Sequence, residues 1–369
     1  MKRTTLGRIV ALPAAAALTL GLAACGAANE SNEGGETGEN GGSGSGVSGT
    51  ISGAGASSQE AAMQAWTASF YENNPDATVN YDPIGSGGGR EQFVNGASDF
   101  GGTDAYLDEE ELAKAQNRCG QLVEIPTYVS PIAIIFKLDG VDELNLKPAT
   151  IAKIFNQQIT SWDDQAIAAD NPGVELPSTP ITPVNRSDES GTTENFVDYL
   201  KAAAPQDWPH EVSGDWPVPG GEAAQGTSGV VQAVGAGNGT IGYADASQAN
   251  DLSTVKVGVG GEFVAYSPEA AAKVLDVSER AEGRGEYSFA YDLARDTTES
   301  GTYPIVLVSY SIACSTYEDA NKAELVKALF AHIVSEEGQQ ASAEAAGSAP
   351  ISDNLRSQVQ PAIDAISAG

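Results

Sequence analysis

The chain has 369 residues, with 50 acidic side chains against 19 basic ones and a formal net charge of −31. So large a negative excess excludes nucleic acid as a partner. Its two histidines, His210 and His332, stand in unrelated contexts, and no G-x-S-x-G elbow or G-x-x-x-x-G-K-[ST] loop occurs, so neither a metal nor a cofactor is expected.

Lys2, Arg3 and Arg8 precede an apolar run from Ile9 to Ala24 that is short for a membrane span, and residues 1–24 read as a bacterial export signal. The cysteine that follows Leu22-Ala23-Ala24 resembles a lipoprotein signal box. That resemblance implies that Cys25 carries diacylglycerol, becomes the new N-terminus and anchors the protein to the outer face of the cell membrane. The competing reading is a non-lipidated secretory peptide, which would leave a free thiol outside the cell. Residues 25–48 are Gly, Ser, Asn and Glu with almost nothing apolar, which describes a flexible tether. Its Gly44-to-Gly49 match to G-x-G-x-x-G has no strand before it and no helix after it, so it is no dinucleotide site. Without residues 1–24 the formal charge falls to near −34, so any anion must be recognised by short-range donors and helix ends rather than by long-range attraction.

Thr50 to Ser58 reads as a strand running through a glycine turn into a helix whose Met63, Trp66 and Phe70 share one face. Ser57 and Glu60 have capping-box spacing. Ala77–Tyr81, Gly85–Gly89 and a helical run from Arg90 to Asn95 repeat the unit, with Ser86 at the helix start. Next come Asp99 to Asp104 and an acidic helix, Asp108–Gln116. Gln121–Phe136 is too long for one ordinary strand and is interrupted by Pro126 and Pro131, as expected of a stretch that leaves one domain and enters another. Pro180–Val184 is a strand that delivers the chain to Arg186, Asp188 and the helix start Ser190, Gly191 and Thr192. An arginine fork held by an aspartate, beside hydroxyls at a helix N-terminus, suits a tetrahedral anion; an ordinary N-cap with a surface ion pair suits the same residues.

Gly226 opens another helix, and Gly239–Tyr243 is a short strand. Tyr303–Tyr310 is a second crossing stretch, followed by helices over Lys322–Val334 and Asn354–Ile366. Cys119 and Cys314 lie in an exported chain, where a disulfide is expected and two free buried thiols are the alternative. Alternating strands and helices over some 320 residues indicate an α/β protein in two lobes, since single cores rarely exceed about 250–300 residues.

Thr50–Ser58, Ile84–Gly89, Asp99–Asp104, Arg186–Thr193 and Gly239–Tyr243 together resemble, in order and spacing, the phosphate-binding proteins of bacterial high-affinity phosphate ABC transporters. The resemblance runs from about Thr50 to near the C-terminus. It implies a two-lobed type II periplasmic-binding-protein fold with two hinge crossings, lobe I spanning 49–128 and 309–369 and lobe II 129–308. It implies that Ser57, Ser58 and Ser86 donate to phosphate from two helix starts, that Asp104 accepts a hydrogen bond from the phosphate's own proton, and that Arg186, held by Asp188, reaches its oxygens. Ser190, Gly191 and Thr192 supply the third helix start.

Two positions depart from the family pattern. Ser58 stands where an aromatic residue is common, and Glu189 where glycine is common. Glu189 puts a carboxylate beside an anion seat and is expected to turn outward. The function implied is a lipid-anchored, monomeric, extracytoplasmic binding protein that hands inorganic phosphate to a membrane permease and catalyses nothing. Competing readings are a phosphate-ester hydrolase using Ser190 or Thr192 with Arg186, and a phosphate sensor or adhesion protein.

Overall fold

A computed structural model describes residues 46–249 and 251–369. The export signal 1–24, the lipidation expected at Cys25 and residues 25–45 of the tether lie outside the described residues.

Strands and helices alternate from the start. β1 (Gly49–Gly55) leads through a 3₁₀ turn, Ser57–Gln59, into α1 (Glu60–Asn73), which buries Ala62, Met63, Trp66 and Phe70 on the face their three- and four-residue spacing defines. The capping box that the Ser57 and Glu60 spacing also allowed does not form, because the α-helix begins only at Glu60 and Ser57 makes no side-chain cap. β2 (Ala77–Asp82), α2 (Ser86–Val94), β3 (Phe100–Thr103) and α3 (Glu109–Cys119) follow. A true capping box appears at α3, where Asp108 accepts from the Glu111 N–H and Glu111 from the Asp108 N–H.

β4 is a single strand of 16 residues, Leu122–Lys137, buried along its length except for Lys137. The prolines expected to interrupt it do not. The register shifts opposite Pro126, which has no N–H to offer, and Thr127 becomes the extra residue of a bulge. Beyond a short strand and two helices between Leu144 and Asp170 come β5 (Thr182–Arg186), α4 (Gly191–Ala203), β6 (Glu222–Ala224), α5 (Gly226–Ala236) and β7 (Thr240–Asp245). β8 starts at Val306 and continues to Cys314, later than the Tyr303–Tyr310 expected. At the C-terminal end are α6 (Ala320–Val334), α7 (Glu336–Ala346) and α8 (Asp353–Asp364). α7 was not foreseen: its buried face is Gly338, Gln339, Ser342 and Ala346, too small and polar to read as a core stripe.

The strands pair in the order β2-β1-β3-β8-β4-β7-β5-β6. β4 pairs antiparallel with β8 as far as Pro131 and with β7 from Ile132 onward, so one unbroken strand passes from the first lobe's sheet into the second's. This is the physical content of its unusual length. Cys119, at the end of α3, is joined to Cys314, at the end of β8. β1, β2 and β3 are mutually parallel through β1, and β5, β6 and β7 through β5, so in each lobe the carboxyl ends of neighbouring strands open onto the same edge.

Candidate functional site

Five of those strand ends meet. β1 delivers Ser57 and Ser58, β2 delivers Ser86, β3 delivers Asp104, β5 delivers Arg186 and the start of α4, and β6 delivers the start of α5. Ser57, Ser58, Ser86, Asp104, Arg186, Ser190 and Thr192 are each no more than 6% exposed.

Arg186 is held as its spacing suggests. Its Nε donates to Asp188 Oδ1 at 2.8 Å and its Nη2 to Oδ2. Asp188 Oδ1 also accepts from the Gly226 N–H at 3.0 Å, which ties the arginine fork to the first turn of α5. Burial pushes the Asp188 carboxyl up, but the Arg186 guanidinium and the Gly226 N–H hold it below the ordinary value. Tyr243 braces the same unit: its hydroxyl lies 2.7 Å from Thr193 Oγ1, and its ring stacks on Phe196 with centroids 4.5 Å apart. The exposed ion pair that the local pattern also allowed is not what forms, since Arg186 is 3% exposed.

Asp104 is the hub of the first lobe's side. Oδ2 accepts from Ser58 Oγ at 2.5 Å and from Thr192 Oγ1 at 3.3 Å, and Oδ1 from Ser309 Oγ at 3.0 Å. Its backbone N–H donates to Ser86 Oγ at 3.2 Å. Burial raises the Asp104 pKa; the hydroxyls of Ser58 and Ser309 and the nearby Arg186 charge pull it back. A carboxylate has about four lone-pair positions, so three donors leave one acceptor position open.

The lobes meet across this seat. Ser57 Oγ lies 3.1 Å from Thr227 Oγ1 and accepts from the Thr227 N–H at 3.1 Å. Asn195 Nδ2 donates to both Asp104 O and Gly191 O at 2.7 Å. Gly191 must be glycine, because a Cβ there would stand 2.6 Å from Ser86 Oγ and 2.8 Å from Asp104 Cβ. Ser190 has a dual position: its hydroxyl caps α4 by accepting from the Thr193 N–H at 3.3 Å, so the N-cap reading and the seat reading describe one residue. A cavity of about 360 Å³ adjoins Asp104, with Glu194, Asp198, Asp292 and Arg295 in its wall.

All eight residues expected to bind the anion are thus brought together. Ser309 and the Gly226–Thr227 helix start were missed. The latter repeats the Gly/Ser/Thr turn seen three times elsewhere, which was a usable signal; Ser309 sits inside an apolar strand and gave none.

Residues 40–337 match the PBP superfamily domain. Over 378 residues the chain is 37% identical to phosphate-binding protein PstS 3 of Mycobacterium leprae, an overlap covering 99% of this chain and all of that relative. The chain belongs to the PstS family of phosphate-binding proteins. Solved structures extend the likeness of shape beyond the sequence. A high-affinity periplasmic phosphate-binding protein, solved with phosphate bound, shares 22% identity with this PstS-family chain at a TM-score of 0.68, covering 85% of the chain and 93% of its own. A phosphate-binding protein from Stenotrophomonas maltophilia shares 19% at a TM-score of 0.67, covering 85% and 94%. The common fold is the two-lobed type II periplasmic-binding-protein fold.

Proposed function

We propose that this chain captures inorganic phosphate between its lobes outside the cell membrane and delivers it to an ABC permease, without chemistry of its own. Membership of the PstS family supports this, and one observation carries it: Asp104 and Arg186 share a single buried seat with three helix starts and the hydroxyls of Ser57, Ser58, Ser86, Ser190 and Thr192. Arg186 and the first-turn N–H groups, including that of Gly191, satisfy the oxygens of a dehydrated anion. The open acceptor position on Asp104 accepts a hydrogen bond from the O–H that phosphate keeps near neutral pH and that sulfate lacks.

The division at 128/129 and 308/309 makes the crossing strands β4 and β8 the hinge, with 49–128 and 309–369 as lobe I and 129–308 as lobe II. Cys25 supplies the membrane anchor of a monomer that works on the outer face. Cys25→Ala is expected to release the protein into the medium, and continued retention at the membrane would refute the anchor. Titration calorimetry with phosphate, sulfate and a chromogenic phosphate ester tests the whole reading: tight phosphate binding without ester turnover supports it. Turnover would instead favour hydrolysis through Ser190 or Thr192.

A further inference from the structure

Glu189 is a carboxylate in a stretch that otherwise suits an anion, and its partner explains its presence. Arg90, in α2 of lobe I, is 5% exposed. Two contacts within lobe I aim its guanidinium: Nε donates to Glu111 Oε1 at 2.9 Å and Nη1 to Thr103 Oγ1 at 3.1 Å. The remaining nitrogen, Nη2, donates to Glu189 Oε1 at 2.9 Å, in the loop between β5 and α4 of lobe II. Glu194, from the first turn of α4, comes within 3.9 Å of Nη1.

The glycine run of lobe I makes room for this. A Cβ at Gly87 would overlap the Glu189 carboxyl group, so the bare backbone of α2's first turn is the surface on which Glu189 lies. Gly214 does the same from lobe II, where a Cβ would stand 3.0 Å from Glu189 Cγ. Glu189 lies there with its side chain 47% exposed, and its charge is paired from the opposite lobe.

We propose that Arg90 and Glu189 form an interlobe latch that exists only when the cleft is shut and lengthens the time for which the captured anion is held. The latch rests on the phosphate reading of the seat for its purpose, though not for its geometry. When the lobes part, Arg90 keeps Glu111 and loses Glu189 and Glu194. Opening therefore breaks a contact that the encounter with phosphate never needed, and the effect falls on release rather than capture. Neither residue needs to touch the anion; both are positioning residues.

The test is stopped-flow phosphate release and binding with wild type, Glu189→Gln, Arg90→Gln and the double variant. Glu189→Gln is expected to speed release about 3- to 30-fold, the range of a partly buried ion pair, with the association rate within about twofold of wild type. The double variant should release about as fast as the faster single variant, because both substitutions remove the shared Arg90–Glu189 contact. Slower or unchanged release in Glu189→Gln, or multiplicative effects in the double variant, would overturn the latch. A carboxylate that merely repels phosphate would give tighter binding on substitution. Failure of wild type to bind phosphate would count against the reading of the seat, and the latch is then judged without ligand. Interlobe distances from paired spin labels should show a larger closed fraction in wild type than in Glu189→Gln, and equal fractions would overturn it. Circular dichroism checks that Arg90→Gln folds; Glu189→Gln alters a half-exposed loop residue and carries the test if it does not.

Discussion

Replacing Asp104 by asparagine should collapse discrimination against sulfate while leaving phosphate binding largely intact. Three hydroxyls already occupy Asp104, from Ser58 at 2.5 Å, Ser309 at 3.0 Å and Thr192 at 3.3 Å. The open position accepts the phosphate proton in a charge-assisted bond of about 1.5–3 kcal/mol. Sulfate would set an oxygen against that lone pair, leaving two buried acceptors facing each other, a further cost of about 1–3 kcal/mol. Simple charge repulsion is common to sulfate and the phosphate dianion and does not discriminate between those two. The proton therefore accounts for roughly 3–6 kcal/mol of selectivity, or about 10² to 10⁴ in the affinity ratio. In Asp104→Asn the amide can donate to either anion, so this ratio should be lost. Phosphate itself exchanges a strong bond for relief from a like charge and should change less than about tenfold. Competition calorimetry at pH 7 measures both affinities. An unchanged phosphate-to-sulfate ratio would refute the reasoning.

Arg186→Ala should weaken phosphate binding by roughly 2–5 kcal/mol, about 30- to 5,000-fold, part of it from stranding Asp188 without its cation; an effect under about threefold would contradict the clamp role. Arg186→Lys should recover only part of the loss, because an ammonium cannot make the paired contacts to Asp188. A third expectation concerns pH. Asp245, at the end of β7, is fully buried, and burial pushes its carboxyl from 3.8 up to about 6 against the pull of Ser247. The folded state then binds this proton more readily than the unfolded one. The contribution is therefore fully present below about 3.8 and is lost as pH rises through about 6. Its ceiling is about 3 kcal/mol, of which about 1.4 kcal/mol falls between pH 5 and pH 8. Asp245→Asn keeps an acceptor for the Ser247 N–H and should gain stability over wild type by about that amount from pH 5 to pH 8 in urea titrations. Equal differences at the two pH values would refute the assignment.

What was legible in the sequence follows the reach of each interaction. The Arg186–Asp188 pair, the Ser190 cap and the glycine turns are local, so spacing alone exposed them. The excessive length of β4 was visible too, as was its meaning as a crossing, although proline suggested breaks where the strand only bulges. Ser57 was expected at the seat, but its partner across the cleft was not, because Thr227 lies 170 residues away and nothing local separates a capping hydroxyl from one that crosses a cleft. Ser309 was hidden for the same reason, 205 residues from Asp104. Glu189 is the instructive case. Its conflict with the anion seat was legible, and the structure supplies Arg90 as its partner from the opposite lobe.

The most direct test of the account is titration of the wild-type protein with phosphate and then sulfate in a calorimeter near pH 7. One phosphate per chain, bound tightly and not displaced by a large excess of sulfate, is the predicted result. Absence of phosphate binding, or equal affinity for the two anions, would contradict it.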